Sequence, residues 1–219
     1  MSEQMSSIEP EWCRASAESE LRGQILQVAS ENDWRQVPAA LELATQAHAG
    51  QLRLSGRHCA EKTPYIVHPL TVAQHGLALG VREENIVVAA LLHDVVEDTS
   101  VTLAQLPFGS EIVDMVERLT FVKPADPAAK LAAQERYYGR IGESEAATVV
   151  KILDRCHNVS TMAGSFSPAK VERYIAETRR FVVPLCQRLQ QSERYGQLAW
   201  TVQYQIESLL ATAEVLLAK

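Results

Sequence analysis

The chain has 219 residues, 21 Lys and Arg against 27 Asp and Glu for a formal net charge of −6, and is 47% hydrophobic but only 6% aromatic. That length suits one ordinary domain with extra helix at its ends, and it buries a sizeable core without needing disulfides. The negative field repels polyanions and so argues against DNA or RNA as partner, while a small anionic substrate stays compatible if a metal and a few basic residues supply local positive charge.

In chain order, a first helix is expected over 11–28, broken by Ser30-Glu31-Asn32-Asp33. Val37, Ala40, Leu41, Ala44 and Ala47 then fall at helical spacing, and Gly50, which tolerates positive φ, closes that helix. A polar loop from Gln51 to Thr63 follows. Pro69 suits the first turn of a helix ending at Leu79, with Gly80 behind it. The segment 83–98 reads as one helix, acidic at its start and apolar through Ile86, Val87, Ala89, Ala90, Leu91 and Leu92, the pattern of a buried helix. Thr102 and Ser110 are candidate N-caps for a short helix and for a helix over 111–121, and Pro124 and Pro127 mark the next break. Helices are further expected over 128–138 and 143–158. Ser167-Pro168 joins an N-cap to a Pro at the first helical position and opens a long helix to Leu189. A last helix covers 195–217. No alternating strand pattern appears, so the fold class is all-α. The division expected is an N-terminal helical extension over 1–35, a central domain over 36–190, and a C-terminal helix over 191–219 packing on the same domain.

Cys13, Cys59, Cys156 and Cys186 stand far apart with no CxxC pair. A thiolate zinc site or a disulfide frame needs clustered spacing, so free thiols in a reducing cytoplasm are expected. The start, Met1-Ser2-Glu3-Gln4, lacks the basic and apolar regions of a signal peptide. No apolar run approaches the ~20 residues of a membrane span, so no membrane partner is expected. Trp12, Trp34 and Trp200, with the leucines of the last helix, would complete the core or bury a homodimer interface.

The chemistry concentrates in Leu91-Leu92-His93-Asp94-Val95-Val96-Glu97-Asp98-Thr99, where four ionisable groups end a buried helix. Unpaired charges there are costly and call for compensation. On a continuous helix His93 and Glu97 share a face, as do Asp94 and Asp98, while His93 and Asp94 are close enough to converge on one ion. A solvated acidic helix end, with a His satisfied by a carbonyl, is the alternative for an isolated pair. Two further segments weigh against it. His68 stands directly before Pro69, which biases it away from helical geometry. Asp154 follows the mostly apolar Val149-Val150-Lys151-Ile152-Leu153, so it faces the core unless partnered.

The ordered set of His68, His93-Asp94 and Asp154 resembles the HD-domain phosphohydrolases. The words around it narrow the likeness: Ala47-His48-Ala49-Gly50-Gln51-Leu52-Arg53, Pro64-Tyr65-Ile66-Val67-His68-Pro69, Leu92 through Thr99, and Lys151-Ile152-Leu153-Asp154-Arg155-Cys156-His157-Asn158. Together, from Val37 to Leu189, they resemble the hydrolase domain of the RelA/SpoT alarmone enzymes and the single-domain small alarmone hydrolases. The resemblance implies an HD helical bundle over 36–190 and a Mn²⁺ ion held by His68, His93, Asp94 and Asp154. That donor set would also accept Fe²⁺, Co²⁺ or Zn²⁺. It implies Glu97 and Asp98 as the groups that handle the attacking water, and removal of the 3′-diphosphate of ppGpp or pppGpp to leave GDP or GTP. Arg53, Ser55, Asn158 and Thr161 match substrate-side positions, although Asn158 also suits a helix-end cap. His48 and His157 are expected to be structural or to support the ligands rather than to bind the ion, and Lys151 and Arg155 to offset the acids. No synthetase half follows within these residues, which implies a dedicated hydrolase.

Leu54 stands where relatives carry Lys or Arg, and Ser160 where they often carry Arg. The loop between Gly56 and Pro64 is also longer, and its Arg57, His58 and Lys62 are candidates to replace the lost charge. An adenine alarmone or a 5′-nucleotide as substrate, and a non-catalytic alarmone-binding regulator, are the competing readings.

Overall fold

The computed structural model describes residues 16–53 and 62–218. Ser55, Arg57, His58, Cys13, Cys59 and Trp12 therefore lie outside the described residues. The described chain is built almost wholly of helices, as its pattern of aliphatic positions requires.

Helix α1 (Ser16–Glu31) continues past the break expected at Ser30 and stops only where Asp33 takes a φ of 56°. Helix α2 (Gln36–Ala47) buries Val37, Ala40, Leu41 and Ala44, and Gly50 at φ 76° turns the chain behind it. Two short strands that periodicity did not reveal, β1 (Leu52–Arg53) and β2 (Thr63–Pro64), then pair antiparallel, Leu52 opposite Pro64 and Arg53 opposite Thr63. Two residues per strand are too few to show alternation.

Helix α3 (Val67–Ala78) begins two residues before Pro69, which leaves the proline in the first turn, where its missing N–H costs nothing. Gly80 at φ 93° ends that turn of chain. Helix α4 (Glu84–Leu92) buries every residue from Ile86 to Leu92. The expected single helix over 83–98 is in fact divided: Asp94 has ψ −6°, and a separate turn, α5 (Val95–Asp98), follows.

Helix α6 (Ser110–Leu119) buries Ile112, Met115, Val116 and Leu119, the i, i+3, i+4, i+7 stripe of an amphipathic helix. Helix α7 (Lys130–Gly142) buries Ala133, Tyr137, Tyr138 and Ile141. Helix α8 (Glu145–Ser165) is capped by the Ser144 side chain, which accepts from the Ala147 N–H. It runs seven residues beyond the expected end at Asn158, because Val159 and Met162 continue its buried face. Helix α9 (Pro168–Glu177) leads through a wide π-helical turn, Thr178–Val182, into α10 (Val183–Leu189). That turn precedes Pro184, whose ring cannot fit an unbroken α-helical ladder. Helix α11 (Gly196–Leu217) buries Leu198, Ala199, Val202, Ile206, Leu210 and Ala213.

Helix α8 is the axis of the assembly. It contacts α3, α4, α6, α7, α10 and α11, while α1 packs on α3 and α2 on α4. The helices α3, α4 and α8 thus meet one another in the centre. Among the described residues, no helix is long and apolar enough to cross a membrane. Trp200 does not join the core: it is 60% exposed and stacks on the exposed Tyr204. Cutting Ile206, fully buried on α11, back to Ala should lower stability by about 2–5 kcal/mol in denaturant unfolding. A loss under ~1 kcal/mol would mean that α11 is not part of the cooperative core.

Candidate metal centre and active site

The three central helices each deliver polar groups to one point. His68 comes from the first turn of α3, His93 and Asp94 from the break after α4, and Asp154 from the middle of α8. His68, His93 and Asp154 are all less than 5% exposed. His68 Nε2 lies 3.4 Å from Asp94 Oδ2 and 3.2 Å from Asp154 Oδ1. His93 Nε2 lies 3.2 Å from Asp94 Oδ2, 3.7 Å from Asp154 Oδ1 and 3.3 Å from His68 Nε2. The helix break produces this convergence, because it turns Asp94 toward the same point as the His93 ring.

These four atoms fit a divalent cation. His93 Nδ1 donates to the Ala90 carbonyl at 2.8 Å, which turns Nε2 toward the carboxylates. The ligand atoms of His68, His93 and Asp94 all lie within 4.8 Å of one another, and Asp154 Oδ1 approaches both histidines; two imidazoles and two carboxylates are the donor types of a transition-metal site. Burial alone would lower His93, yet Asp94 and Asp154 raise it to about 10. Burial opposes ionisation of both acids as well. His93 and His68 nevertheless hold Asp94 far below the usual carboxylate range, as Lys151 and the two histidines do for Asp154.

Around the four donors sits a ring of orienting groups. Lys151 Nζ donates to Asp154 Oδ2 at 2.9 Å and Asn158 Nδ2 to Asp154 Oδ1 at 2.5 Å. The Tyr65 hydroxyl lies 2.7 Å from Asp94 Oδ2 and 2.9 Å from Asp98 Oδ2, so one phenol proton serves both acids. Burial and those two charges push the Tyr65 phenol up, and it remains a donor. Sequence reasoning did not single out Tyr65. Its place three residues before His68 was the available signal. The ring of His48 stacks on Tyr65 at 4.6 Å, and its Nδ1 meets Gln51 Oε1 at 2.8 Å. Gln51 in turn donates to the Asp98 carbonyl, which ties the start of the loop to α5.

Glu97 and Asp98 separate. Asp98 joins Tyr65 beside the metal donors, whereas Glu97 Oε2 accepts from the Phe121 N–H at 2.8 Å. The expected pairing of His93 with Glu97 along one helix is thereby replaced, since the backbone breaks between them. Glu97 stands in the wall of a cavity of about 410 Å³ with Lys123, Lys130, Gln134, Tyr137 and Lys151. Burial raises its carboxyl, and the charges of Asp94 and Asp98 add to that against the pull of Phe121 N–H and Lys151.

Arg53, Asn158 and Thr161 also come together. Arg53 Nη2 donates to Asn158 Oδ1 and reaches Thr161 Oγ1 at 3.3 Å. Asn158 is no helix-end cap, because α8 continues past it. Instead its amide joins Arg53 to Asp154. Arg155 does not offset the acid cluster as expected. It is buried away from it, bonded to Tyr138, Glu177 and Thr178, and ties α8 to α7 and to the α9 end. His157 is held well below the usual histidine range by burial, with His68 and Arg53 adding to the effect.

Against known families, a profile of the HD domain matches residues 40–192. The chain belongs to the HD-domain family, whose fold implies a divalent metal. Within it, the likeness is to the RelA/SpoT enzymes. A Mycobacterium leprae protein named "Probable GTP pyrophosphokinase" is 38% identical over 157 residues, covering 70% of this chain and 19% of that protein. A Haemophilus influenzae protein named guanosine-3′,5′-bis(diphosphate) 3′-pyrophosphohydrolase is 35% identical over 153 residues, 67% of this chain and 21% of that protein. The chain thus spans about a fifth of the length of the curated relatives it matches. A solved metazoan SpoT orthologue, described as hydrolysing ppGpp, superposes with a TM-score of 0.63 at 20% identity. The match covers 81% of this chain and 94% of that one, and it establishes the shared all-α fold.

Metal binding to the folded state alone stabilises it by mass action. Added Mn²⁺ should therefore raise the melting temperature of the purified protein, and Asp154→Asn should abolish the rise. An undiminished rise in the variant would place the ion elsewhere.

Proposed function

We propose that this chain is a Mn²⁺-dependent hydrolase that removes the 3′-diphosphate of ppGpp and pppGpp, leaving GDP or GTP and pyrophosphate. The observation that carries the reading is the convergence of His68, His93, Asp94 and Asp154 on one point, with two more carboxylates, Glu97 and Asp98, on the turn that follows. The names of the relatives support the substrate. In this reading residues 36–190 form the hydrolase unit, 1–35 and 191–219 are additions to it, and the protein acts in the cytoplasm to tune stringent-response signalling.

When bound, the ion supplies Lewis-acid polarisation of phosphoryl oxygens and of water. The chain supplies the rest. Glu97 accepts a proton from the attacking water: burial has raised its carboxyl toward the range where a base both stays ionised and takes up a proton. Asp98, held by the Tyr65 hydroxyl, helps to orient that water. Arg53, steadied by Asn158 and Thr161, presents a planar guanidinium that stacks on a base or grips phosphate, and Ser55 completes the substrate side. Lys123, Lys130 and Lys151 give the cavity beside Glu97 the positive charge that a diphosphate needs, although the whole chain is negative.

Incubation of ppGpp with the purified protein and Mn²⁺, resolved by ion-exchange chromatography, should yield GDP and pyrophosphate, with none from Asp94→Ala. Survival of ppGpp beside stoichiometric bound metal would sink the alarmone assignment and leave the HD fold standing. Glu97→Gln should lower kcat by about 10²–10⁴-fold, the range of a lost general base, with the metal Kd nearly unchanged. A parallel loss of metal would make Glu97 a structural support of the ion site instead.

A further inference from the structure

One buried contact at the centre has no part in the chemistry above. His157 Nδ1 lies 2.6 Å from His68 Nδ1, although both belong to imidazoles. The ring centroids are 4.8 Å apart and the planes differ by 19°. The gap between centroid and nitrogen separations is close to two ring radii, so the nitrogens lie on the line joining the rings. The rings are therefore edge to edge in nearly one plane, since face-to-face stacking would hold the nitrogens further apart. A ring N–H and a ring lone pair both lie in the plane of the imidazole, so this is the geometry of an N–H···N hydrogen bond. One proton sits between the two nitrogens, and the pair must choose which ring carries it.

The choice is set at the other end of His68. Its Nε2 faces Asp94, Asp154 and His93, the point where an ion would lie. A histidine that gives its Nε2 lone pair to a metal keeps its proton on Nδ1 and needs an acceptor there, usually a carboxylate or a carbonyl. His93 has such an acceptor in the Ala90 carbonyl. Among the described residues, His68 Nδ1 meets the ring of His157 there.

We infer that His157 is the positioning residue of the metal centre, accepting the Nδ1 proton of His68 and so fixing the tautomer and ring orientation in which His68 Nε2 can bind the ion. The inference rests on the reading of His68, His93, Asp94 and Asp154 as metal ligands. His157 itself remains the Nε2–H tautomer in the loaded protein. Its position on α8, three residues after Asp154, lets one helix supply both a ligand and the support of a ligand from α3. A histidine merely filling space would not need its nitrogen in line with that of His68.

Zn²⁺, which is diamagnetic, is the probe. Long-range ¹H–¹⁵N correlation of the Zn²⁺-loaded wild type should show His68 protonated at Nδ1, and His157 bare at Nδ1 and protonated at Nε2. In Zn²⁺ titrations, His157→Phe should bind about 10–100-fold more weakly, the usual effect of losing such a support. His157→Asn, whose Oδ1 occupies much the same place as Nδ1, should recover most of that loss. Proton placement on His157 Nδ1 in the loaded protein would overturn the inference, as would unchanged affinity in His157→Phe. So would an Asn variant as weak as the Phe variant, since the effect would then be one of packing. If His157→Phe does not fold, the spectrum of the wild type decides. Wild type that binds no Zn²⁺ would remove the metal reading itself, and this inference with it.

Discussion

Two carboxylates and two imidazoles, all but Asp94 fully buried, gather where α3, α4 and α8 meet, and their mutual closeness governs what surrounds them. Taking a carboxylate out of water costs several kcal/mol unless charge and hydrogen bonds replace the lost hydration. Lys151, Asn158 and Tyr65 each aim a donor at one of the two acids. His93 and His68 keep those acids ionised. On the proposed reading, one divalent cation satisfies all four donors together.

The division between α4 and α5 sorts the remaining acids. Were 83–98 one straight helix, four ionisable groups would be spread along its surface at fixed angles. The break at Asp94 lets His93 and Asp94 face inward, while the next turn places Asp98 against Tyr65 and Glu97 against Phe121. Two carboxylates one residue apart thus acquire different environments, one solvent-exposed and hydrogen-bonded, the other half-buried and raised. Such a contrast allows neighbouring acids to take different roles in one reaction.

Charge on the molecule is likewise local. The whole chain is negative, yet the cavity beside Glu97 gathers lysines, and Arg53 stands near the donors. Arg155, which lines the same cavity, is bonded to Tyr138, Glu177 and Thr178, where it fastens the α7, α8 and α9 ends together.

The all-α class was legible from periodicity alone, because runs such as Ile86–Leu92 and the Ile112–Leu119 stripe leave no other way to bury their apolar surface. Gly50 and Gly80 marked turns for a local reason, positive φ, which sequence displays directly. The grouping of His68, His93, Asp94 and Asp154 was legible as polar residues set where apolar ones belong. What tertiary structure decided was direction. Only the contact of α8 with α9 and α7 turned Arg155 away from the acids, and only packing across α3 and α8 put His157 in line with His68. The same holds for Tyr65, whose hydroxyl reaches two carboxylates twenty-nine and thirty-three residues away. Local sequence determines which backbone forms and which faces are apolar. The pairing of polar side chains across helices depends on rotations and distances that exist only once the helices have packed.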